Sequence, residues 1–207
     1  MSTADATPRL AALILCGGRS RRMGRPKYLL EFPGELLLPR MCRIAAEAAS
    51  PVIVVAAPDQ RMPDLPAGVT VVRDDLIDAG PLAGIARGLQ HLALHHPDVP
   101  AAFVTSCDVP LLSADVIRCV SRQLGDSEAV AVRGAEFVHP LCAVYRSCLA
   151  RPAEELLQAG ERRPRRLLEA VRTQFIPAES LRSVDPRLDC LHNMNTPADY
   201  QQILSRL

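Results

Sequence analysis

Near its start the chain carries the sequence LILCGGRSRRMGRPK, residues 13–27. The apolar run Leu10–Leu15 has the length and composition of a strand buried on both faces of a parallel sheet. The paired glycines Gly17 and Gly18 follow directly, and then a stretch rich in arginine. Glycines after a buried strand let the backbone approach a ligand and turn its N–H groups outward. Because the same loop also carries cations, the stretch predicts a binding site for a polyphosphate.

Two common phosphate-binding loops do not fit this sequence. Gly24 is followed by Arg25 rather than by the Lys-Ser/Thr of a Walker A loop. The adjacent Gly17 and Gly18 do not begin the G-x-G-x-x-G of a dinucleotide fold. A solvated basic turn between a strand and a helix is the alternative, and local composition leaves it open.

The composition restricts the class of protein. The chain has 207 residues and is 48% hydrophobic, which is enough for one substantial core in a single domain, residues 1–207. The formal net charge of +1 and the absence of Trp argue against nucleic acid as a partner. No stretch reaches the ~18 apolar residues of a membrane span, and residues 1–8 lack a signal-peptide pattern. We expect a cytoplasmic protein with no membrane partner.

The seven cysteines point to the same compartment. They form no C-x-x-C pair, and most stand in apolar runs, as Cys107, Cys119 and Cys142 do. This pattern predicts buried, reduced thiols of a cytosolic protein.

Strand and helix patterns alternate along the chain. The predicted strands are 10–15, 52–56, 69–72, 101–105, 129–132, 141–145 and 174–176, and the predicted helices are 36–49, one opened by residues 78–84 that runs to about 95, 113–124, 152–158, 167–171 and 197–207. Gly84 and Gly88 lie four apart on one helix face and allow close approach to a neighbour or a ligand. The alternation predicts an α/β fold in three layers, α/β/α, with a mostly parallel, Rossmann-like sheet.

Chemically unusual residues stand where three predicted strands end. The glycine loop follows the first strand, Asp74 the third and Asp108 the fourth. Ligands bind at the carboxyl ends of parallel strands, so these residues predict a site. Asp108 is a candidate Mg²⁺ ligand, because Mg²⁺ takes one or two carboxylates together with substrate phosphates. The alternative for both aspartates is a role in a turn.

Residues 15–27 resemble the signature L-A-G-G-x-S-x-R-M-G-x-D-K of the nucleotidyltransferases related to molybdenum cofactor guanylyltransferase. Cys16 stands where that signature has alanine, and Pro26 replaces its acidic residue. Further matches follow in the family's order: 71–75 (VVRDD), 80–84 (GPLAG), 105–112 (TSCDVPLL), 139–140 (HP) and 193–199 (NMNTPAD). The resemblance spans most of the chain and implies the fold of nucleotide-diphospho-sugar transferases.

The resemblance implies transfer of GMP from MgGTP to the phosphate of molybdopterin, with release of pyrophosphate. Lys27, Arg22 and Asp108 are then catalytic, and Asp108 holds the Mg²⁺ cofactor. Arg19 is a further hydrogen-bond donor to the phosphate oxygens. The residues implied to bind nucleotide or acceptor are Leu15, Cys16, Gly17, Gly18, Lys27, Asp74, Gly80, Pro81, Leu82, Gly84, Asp108, His139, Asn193 and Asn195. Asp74 would accept hydrogen bonds from guanine.

The same resemblance divides the chain into a nucleotide-binding half, 9–125, and an acceptor half, 126–207. Asn193 and Asn195 fall in the acceptor half, with turn and cap chemistry as the alternative. The arginines of residues 162–166 are candidate ligands for the acceptor phosphate, with a solvated loop as the alternative. The expected protein is a monomer with transient contacts to cofactor-supplying proteins and molybdoenzymes.

Other functions stay open at this point. A cytidylyltransferase on the same pterin, or another small-molecule nucleotidyltransferase, is the nearest alternative. A non-catalytic, nucleotide-binding regulator is an alternative of another class, and the presence of both Lys27 and Asp108 argues against it.

Overall fold

A computed structural model of the chain describes residues 9–17, 24–74 and 79–206. The strands are β1 (Leu10–Leu15), β2 (Glu31–Phe32), β3 (Glu35–Leu36), β4 (Val52–Ala56), β5 (Val69–Arg73), β6 (Ala101–Ser106), β7 (Ala129–Arg133), β8 (Val138–Arg146) and β9 (Thr173–Pro177). Seven of them form one sheet in the order β5-β4-β1-β6-β8-β7-β9, and β2 and β3 form a small antiparallel pair. Strand β8 runs antiparallel to both of its neighbours, and every other pair in the large sheet is parallel.

Helices cover both faces of the sheet. They are α1 (Leu37–Ala46), α2 (Pro81–His95), α3 (Ala114–Ser121), α4 (Ala150–Gln158), α5 (Pro164–Ala170) and α6 (Pro197–Leu204). The first strand shows why the molecule has three layers. Leu10, Ala12 and Ile14 pack in a core with α1, α3 and α6, whereas Leu13 and Leu15 pack in the other core with α2, α4 and α5. Successive strand residues point to opposite faces, so a strand that is apolar throughout needs a helical layer on each side.

Helix α2 lies unusually close to β1. A Cβ atom on Gly84 would lie 3.1 Å from Leu15 Cδ2, and one on Gly88 would lie 2.8 Å from Leu13 Cδ1. Gly84 and Gly88 therefore allow α2 to pack closely against the sheet.

The predicted fold class is confirmed, and the helix ends differ from the prediction. Helix α1 ends at Ala46 instead of residue 49, because the chain then turns and Ser50 donates its N–H to the carbonyl of Leu10. Helix α3 ends at Ser121 instead of residue 124, and Ser113 is its N-cap, since Ser113 Oγ accepts from the N–H of Val116. Helix α5 begins earlier than predicted, with Pro164 in its first turn.

All seven cysteines are free thiols. Five are buried, but Cys119 is only half-buried and Cys148 is exposed, so the expectation of buried thiols was wrong for these two. Within the described residues no helix is long and apolar enough to cross a membrane.

Candidate active site

The carboxyl ends of the neighbouring strands β4, β1 and β6 lie side by side along one edge of the sheet. The N–H of Cys16 donates to the carbonyl of Val55 at 2.8 Å, and the N–H of Cys107 donates to that of Leu15 at 3.0 Å. This pairing brings the start of the glycine loop and the segment before Asp108 side by side.

Three side chains from distant parts of the sequence meet at this edge. The Nζ of Lys27 lies 3.1 Å from Oδ2 of Asp108 and donates to Oδ1 of Asn195 at 2.9 Å. The side chains of Lys27 and Asp108 are 15% and 18% exposed, so solvent screens this ion pair less than a surface pair. We call Lys27, Asp108 and Asn195 the edge cluster.

Hydrogen bonds from neighbouring side chains and backbone groups hold the edge cluster in position. Ser106 donates its hydroxyl to Oδ1 of Asp108. The N–H of Met194 donates to the carbonyl of Asp108 at 2.8 Å, which ties the 193–195 loop to the end of β6. The Asp199 carboxylate accepts from the N–H of Asn195 and of Thr196, each at 2.8 Å. These donors lower the pKa of Asp199 and hold Asn195 in place at the start of α6.

The start of the glycine loop is held by a glutamine. Gln60 donates to the carbonyl of Cys16 at 2.9 Å and lies 3.2 Å from its sulfur. Gly17 is exposed, and a Cβ there would meet no atom of the described residues within 4 Å. The predicted phosphate-binding residues Gly18, Arg19 and Arg22 lie outside the described residues.

Pro26, the departure from the family signature, stands at the entry to the turn that carries Lys27. Its φ of −61° suits proline, and its carbonyl accepts from the N–H of Leu29 at 3.2 Å. The proline therefore shapes this turn in place of an acidic side chain.

Asp74 lies just beyond β5, where its N–H donates to the carbonyl of Ala56 at 2.9 Å. Arg73 donates to the carbonyls of Ala57 and Gln60, so the ends of β4 and β5 are tied together. Asp75 lies outside the described residues. Asp74 thus stands at the predicted edge of the sheet, two strands away from β1.

The predicted segment at residues 80–84 opens α2. Gly80 has φ +77°, and a Cβ on it would lie 3.1 Å from the carbonyl oxygen of Arg162. Pro81 occupies the first turn of the helix, and the Leu82 side chain is completely buried. Leu82 and Gly84 therefore pack against the core. The 162–166 segment lies against the start of α2.

Most arginines of that segment are already paired. Arg163 donates to Glu161, Arg165 to Glu169, and Arg166 to Glu169. The side chain and backbone of Arg163 hold the pKa of Glu161 well below its usual range. The structure does not bring these arginines to the edge cluster.

A cavity of about 490 Å³ opens beside the edge cluster. Its lining includes His139, His192, Asn193, Asn195, Asp199 and Arg206. Burial, together with the neighbouring imidazole of His192, lowers the pKa of His139. The predicted acceptor residues His139, Asn193 and Asn195 thus line one cavity.

The buried thiols Cys107 and Cys42 are poor candidates for a nucleophile. The neighbouring Cys16 thiol and burial raise the pKa of Cys107, and burial raises that of Cys42 to about 12. Such thiols stay protonated at neutral pH and react slowly.

The donor set at Asp108 suits a shared magnesium ion. Among the described residues, no three His, Cys, Asp or Glu side chains converge into a metal-binding group. Asp108 with the nearby amide oxygen of Asn195 offers hard oxygen donors without completing a cage. This fits an ion that takes its remaining ligands from phosphate and water, as Mg²⁺ commonly does.

Residues 12–175 match the family model of the MobA-like NTP transferase domain. The chain belongs to this family. A Mycobacterium tuberculosis (strain H37Rv) protein named probable molybdenum cofactor guanylyltransferase is 38% identical to this MobA-like chain over 197 residues, 94% of this chain and 92% of that protein.

Solved structures share the MobA-like fold. Molybdopterin-guanine dinucleotide biosynthesis protein A from Archaeoglobus fulgidus matches with a TM-score of 0.78 at 22% identity, over 95% of this chain and all of that one (100%). A 2-C-methyl-D-erythritol 4-phosphate cytidylyltransferase from Thermus thermophilus matches with a TM-score of 0.67 at 16% identity, over 95% of this chain and 98% of that one.

Sequence reasoning missed three residues of this MobA-like site. Ser106 stands two residues before Asp108, a spacing that could have suggested its hydrogen bond. Gln60 and Arg206 had no such signal, because only the folded chain brings them to the glycine loop and to the cavity.

Proposed function

We propose that this chain is a molybdenum cofactor guanylyltransferase. It transfers GMP from MgGTP to the phosphate of molybdopterin and produces molybdopterin guanine dinucleotide and pyrophosphate. The observation that carries the proposal is the edge cluster, in which a lysine, a carboxylate and an amide from three chain segments converge beside the glycine loop. The name of the relative that is 38% identical supports the choice of nucleotide and acceptor.

The chain's own residues position and neutralise the triphosphate. Lys27 supplies a compact positive charge, and Arg19 and Arg22 supply forked donors from the loop. Asp108, with the Asn195 oxygen beside it, would hold Mg²⁺, which supplies further charge stabilisation to the phosphates when it is bound.

The reaction needs no strong general base. An oxygen of the acceptor phosphate forms a bond to the α-phosphorus of GTP, and the bond from that phosphorus to the pyrophosphate oxygen breaks. The second pKa of a phosphomonoester is about 6, so the nucleophile is already a dianion near neutral pH. Catalysis is then a matter of alignment and charge, and the edge cluster supplies both without a Ser-His or Cys-His pair.

The remaining expectations belong to the same proposal. Lys27, Arg22 and Asp108 are its catalytic residues, residues 9–125 hold the nucleotide and residues 126–207 hold the acceptor. The protein works in the cytoplasm as a monomer and makes transient contacts with proteins that deliver the cofactor or receive it.

One experiment tests the proposal directly. The purified protein is incubated with Mg²⁺, molybdopterin and GTP, CTP or ATP in turn, and pyrophosphate and the product mass are measured. The expected result is pyrophosphate with GTP and a product heavier than the acceptor by one GMP unit. A cytidine product would favour the cytidylyltransferase alternative. GTP binding without any release of pyrophosphate would favour the regulator.

A further inference from the structure

One face of α6 forms a wall of the cavity beside the edge cluster. Asp199, Gln202 and Ile203 line the cavity, and their spacing of three and four residues places them on one face of α6. Arg206 lines the cavity as well, two residues after the end of α6, in a turn where its N–H donates to the carbonyl of Ile203 at 3.0 Å. Asn195, which belongs to both the edge cluster and the cavity, marks the near end. The cavity is therefore a groove that leads away from Lys27 along α6.

The far end of the groove is built around a buried carboxylate. The Asp189 side chain is 9% exposed and accepts from Arg206 at 2.7 Å and from Arg187 at 2.9 Å. In the described part of the chain, Asp189 is the one partner of the Arg206 guanidinium. A guanidinium carries five N–H donors in a fixed fork, so Arg206 is oriented by Asp189 and keeps donors for a ligand.

The rest of the groove combines apolar contacts with polar groups. Leu111, Leu191 and Ile203 contribute apolar surface, and His139 and His192 contribute imidazole nitrogens. Such a lining suits a flat heterocycle whose ring atoms accept hydrogen bonds, because apolar walls bind its faces and a few polar groups orient it. The proposed nucleotide site includes the glycine loop after β1 and Asp74 after β5. It meets the groove at the edge cluster, because Asn195 both contacts Lys27 and lines the groove.

We propose that the groove along α6 binds the heterocyclic end of the acceptor, and that Arg206 and Gln202 determine specificity for it. The phosphate of the acceptor then lies at Lys27 and Asp108, while its ring system extends along α6 to the guanidinium of Arg206. This inference rests on the proposed function for the position of the phosphate.

The kinetic test uses two variants in the groove and a matched control. Arg206→Gln removes the forked donor, and Gln202→Leu removes an exposed amide that has no role in the Asp189 ion pairs. Arg151→Gln is the control, because Arg151 pairs with Glu155 on α4, on the opposite face of the sheet. We expect the groove variants to raise KM for molybdopterin about tenfold, the effect of losing one or two hydrogen bonds, with KM for GTP and kcat close to wild type.

Arg206→Lys separates a positioned fork from simple charge. A lysine keeps the positive charge beside Asp189 but not the second donor to the ligand. Compared with Arg206→Gln, we expect Arg206→Lys to recover more of the wild-type thermal stability than of the wild-type KM for molybdopterin. If Arg206→Gln and Gln202→Leu alter that KM no more than Arg151→Gln does, the inference is wrong.

A binding measurement separates this inference from the proposed function. The fluorescence of 6-hydroxymethylpterin monophosphate is titrated with each purified variant, without nucleotide. We expect binding to the wild type and to Arg151→Gln, and binding about tenfold weaker to Arg206→Gln. Failure of the wild type to bind this probe would overturn the inference. Binding that depends on Arg206, in a protein that transfers no GMP, would support the groove and reject the proposed function.

Discussion

Lys27 is the single lysine of the chain, although the sequence has 24 Lys and Arg residues in total. Its ammonium group lies 3.1 Å from an oxygen of Asp108 and 2.9 Å from one of Asn195. A compact ammonium fits between two oxygens at these distances, whereas a planar guanidinium is larger and projects its donors in a fork. The residue type at this position is therefore set by the size of the site as well as by charge.

We expect Lys27→Arg to restore little of the function lost in Lys27→Ala. Both variants should weaken GTP binding more than guanosine binding, because the lysine meets phosphates only and a charged hydrogen bond contributes about 1.5–3 kcal/mol. Isothermal titration with GTP and guanosine measures the difference. Equal losses for the two ligands would move Lys27 away from the triphosphate.

The single lysine also gives a chemical test. An amine-specific acylating reagent has Lys27 as its one side-chain target, and peptide mass spectrometry distinguishes it from the N-terminal amine. We expect MgGTP to slow the acylation of Lys27 and to leave that of the N-terminus unchanged. Equal rates at Lys27 with and without MgGTP would contradict the assignment.

Asp108→Asn should leave the fold intact and remove most activity. The backbone carbonyl of Asp108 still accepts from Met194 in this variant, and an asparagine has nearly the same volume. What is lost is the negative charge of a proposed metal ligand, and we expect turnover to fall roughly a hundredfold to a thousandfold. Asp115→Asn, which changes an exposed carboxylate on α3, is the matched control. Wild-type turnover of Asp108→Asn at low Mg²⁺ would exclude the metal assignment.

At the scale of elements, the contact of α2 with β1 depends on two missing side chains. A Cβ on Gly88 would lie 2.8 Å from Leu13 Cδ1 and 3.2 Å from Val55 Cγ2, both in the core. Alanine favours a helix by about 1 kcal/mol over glycine, but overpacking a core typically costs about 1–3 kcal/mol. We expect Gly88→Ala to lower the free energy of unfolding, as measured by urea denaturation.

Gly17→Ala is the control for this packing effect. Its added Cβ meets no atom within 4 Å in the part of the chain that the structure describes, so we expect the urea midpoint of this variant to stay close to wild type. If Gly88→Ala were as stable as Gly17→Ala, the sheet would have room that the geometry does not show.

The start of α6 is sensitive to acid through Asp199. Its carboxylate accepts from two backbone N–H groups, which lower its pKa from the ordinary value of 3.8. A lowered pKa means that this contribution to stability is complete above about pH 4 and is lost as the pH falls through the folded-state value. We expect Asp199→Asn to flatten the decrease in unfolding free energy below pH 4. Parallel curves for the two proteins in urea titrations across that range would contradict this.

The elements that could be predicted from sequence are those with an unbroken apolar pattern. The first strand was predicted with its observed ends, because its residues serve both cores. The start of α6 at Pro197 was predicted as well, because the Thr196–Asp199 capping box that fixes it is local. The end of α1 was not, since it depends on a hydrogen bond from Ser50 to Leu10 across the fold. The antiparallel direction of β8 likewise depends on partners distant in sequence.

At the scale of the whole molecule, the site is a meeting point of segments far apart in sequence. Sequence alone could propose Lys27, Asp108 and Asn195 one by one, from residue type and family resemblance. It could not predict that Lys27 and Asn195, 168 residues apart, share a hydrogen bond, because that contact requires the completed sheet and α6. The groove and Arg206 were missed for the same reason.

The fold does not determine which nucleotide the enzyme selects, since a solved cytidylyltransferase has the same fold, with a TM-score of 0.67. Under the proposed function, the choice falls to Asp74, which stands just beyond the end of β5. Guanine presents N1–H and N2–H₂ donors on one edge, and a carboxylate accepts both. Cytosine and adenine place an acceptor at that level, so a buried acceptor would face another acceptor, at a cost of about 1–3 kcal/mol.

That cost corresponds to a preference for GTP over CTP or ATP of at least about tenfold in kcat/KM. Competition between the nucleotides for one pool of molybdopterin measures it, with the products separated by mass. Asp74→Asn should narrow the preference, because an amide can turn a donor toward cytosine, whereas Asp64→Asn in the exposed loop before β5 should not change it. A preference for CTP in the wild type would replace the guanylyltransferase with the cytidylyltransferase and leave the sheet, the edge cluster and the groove as they are.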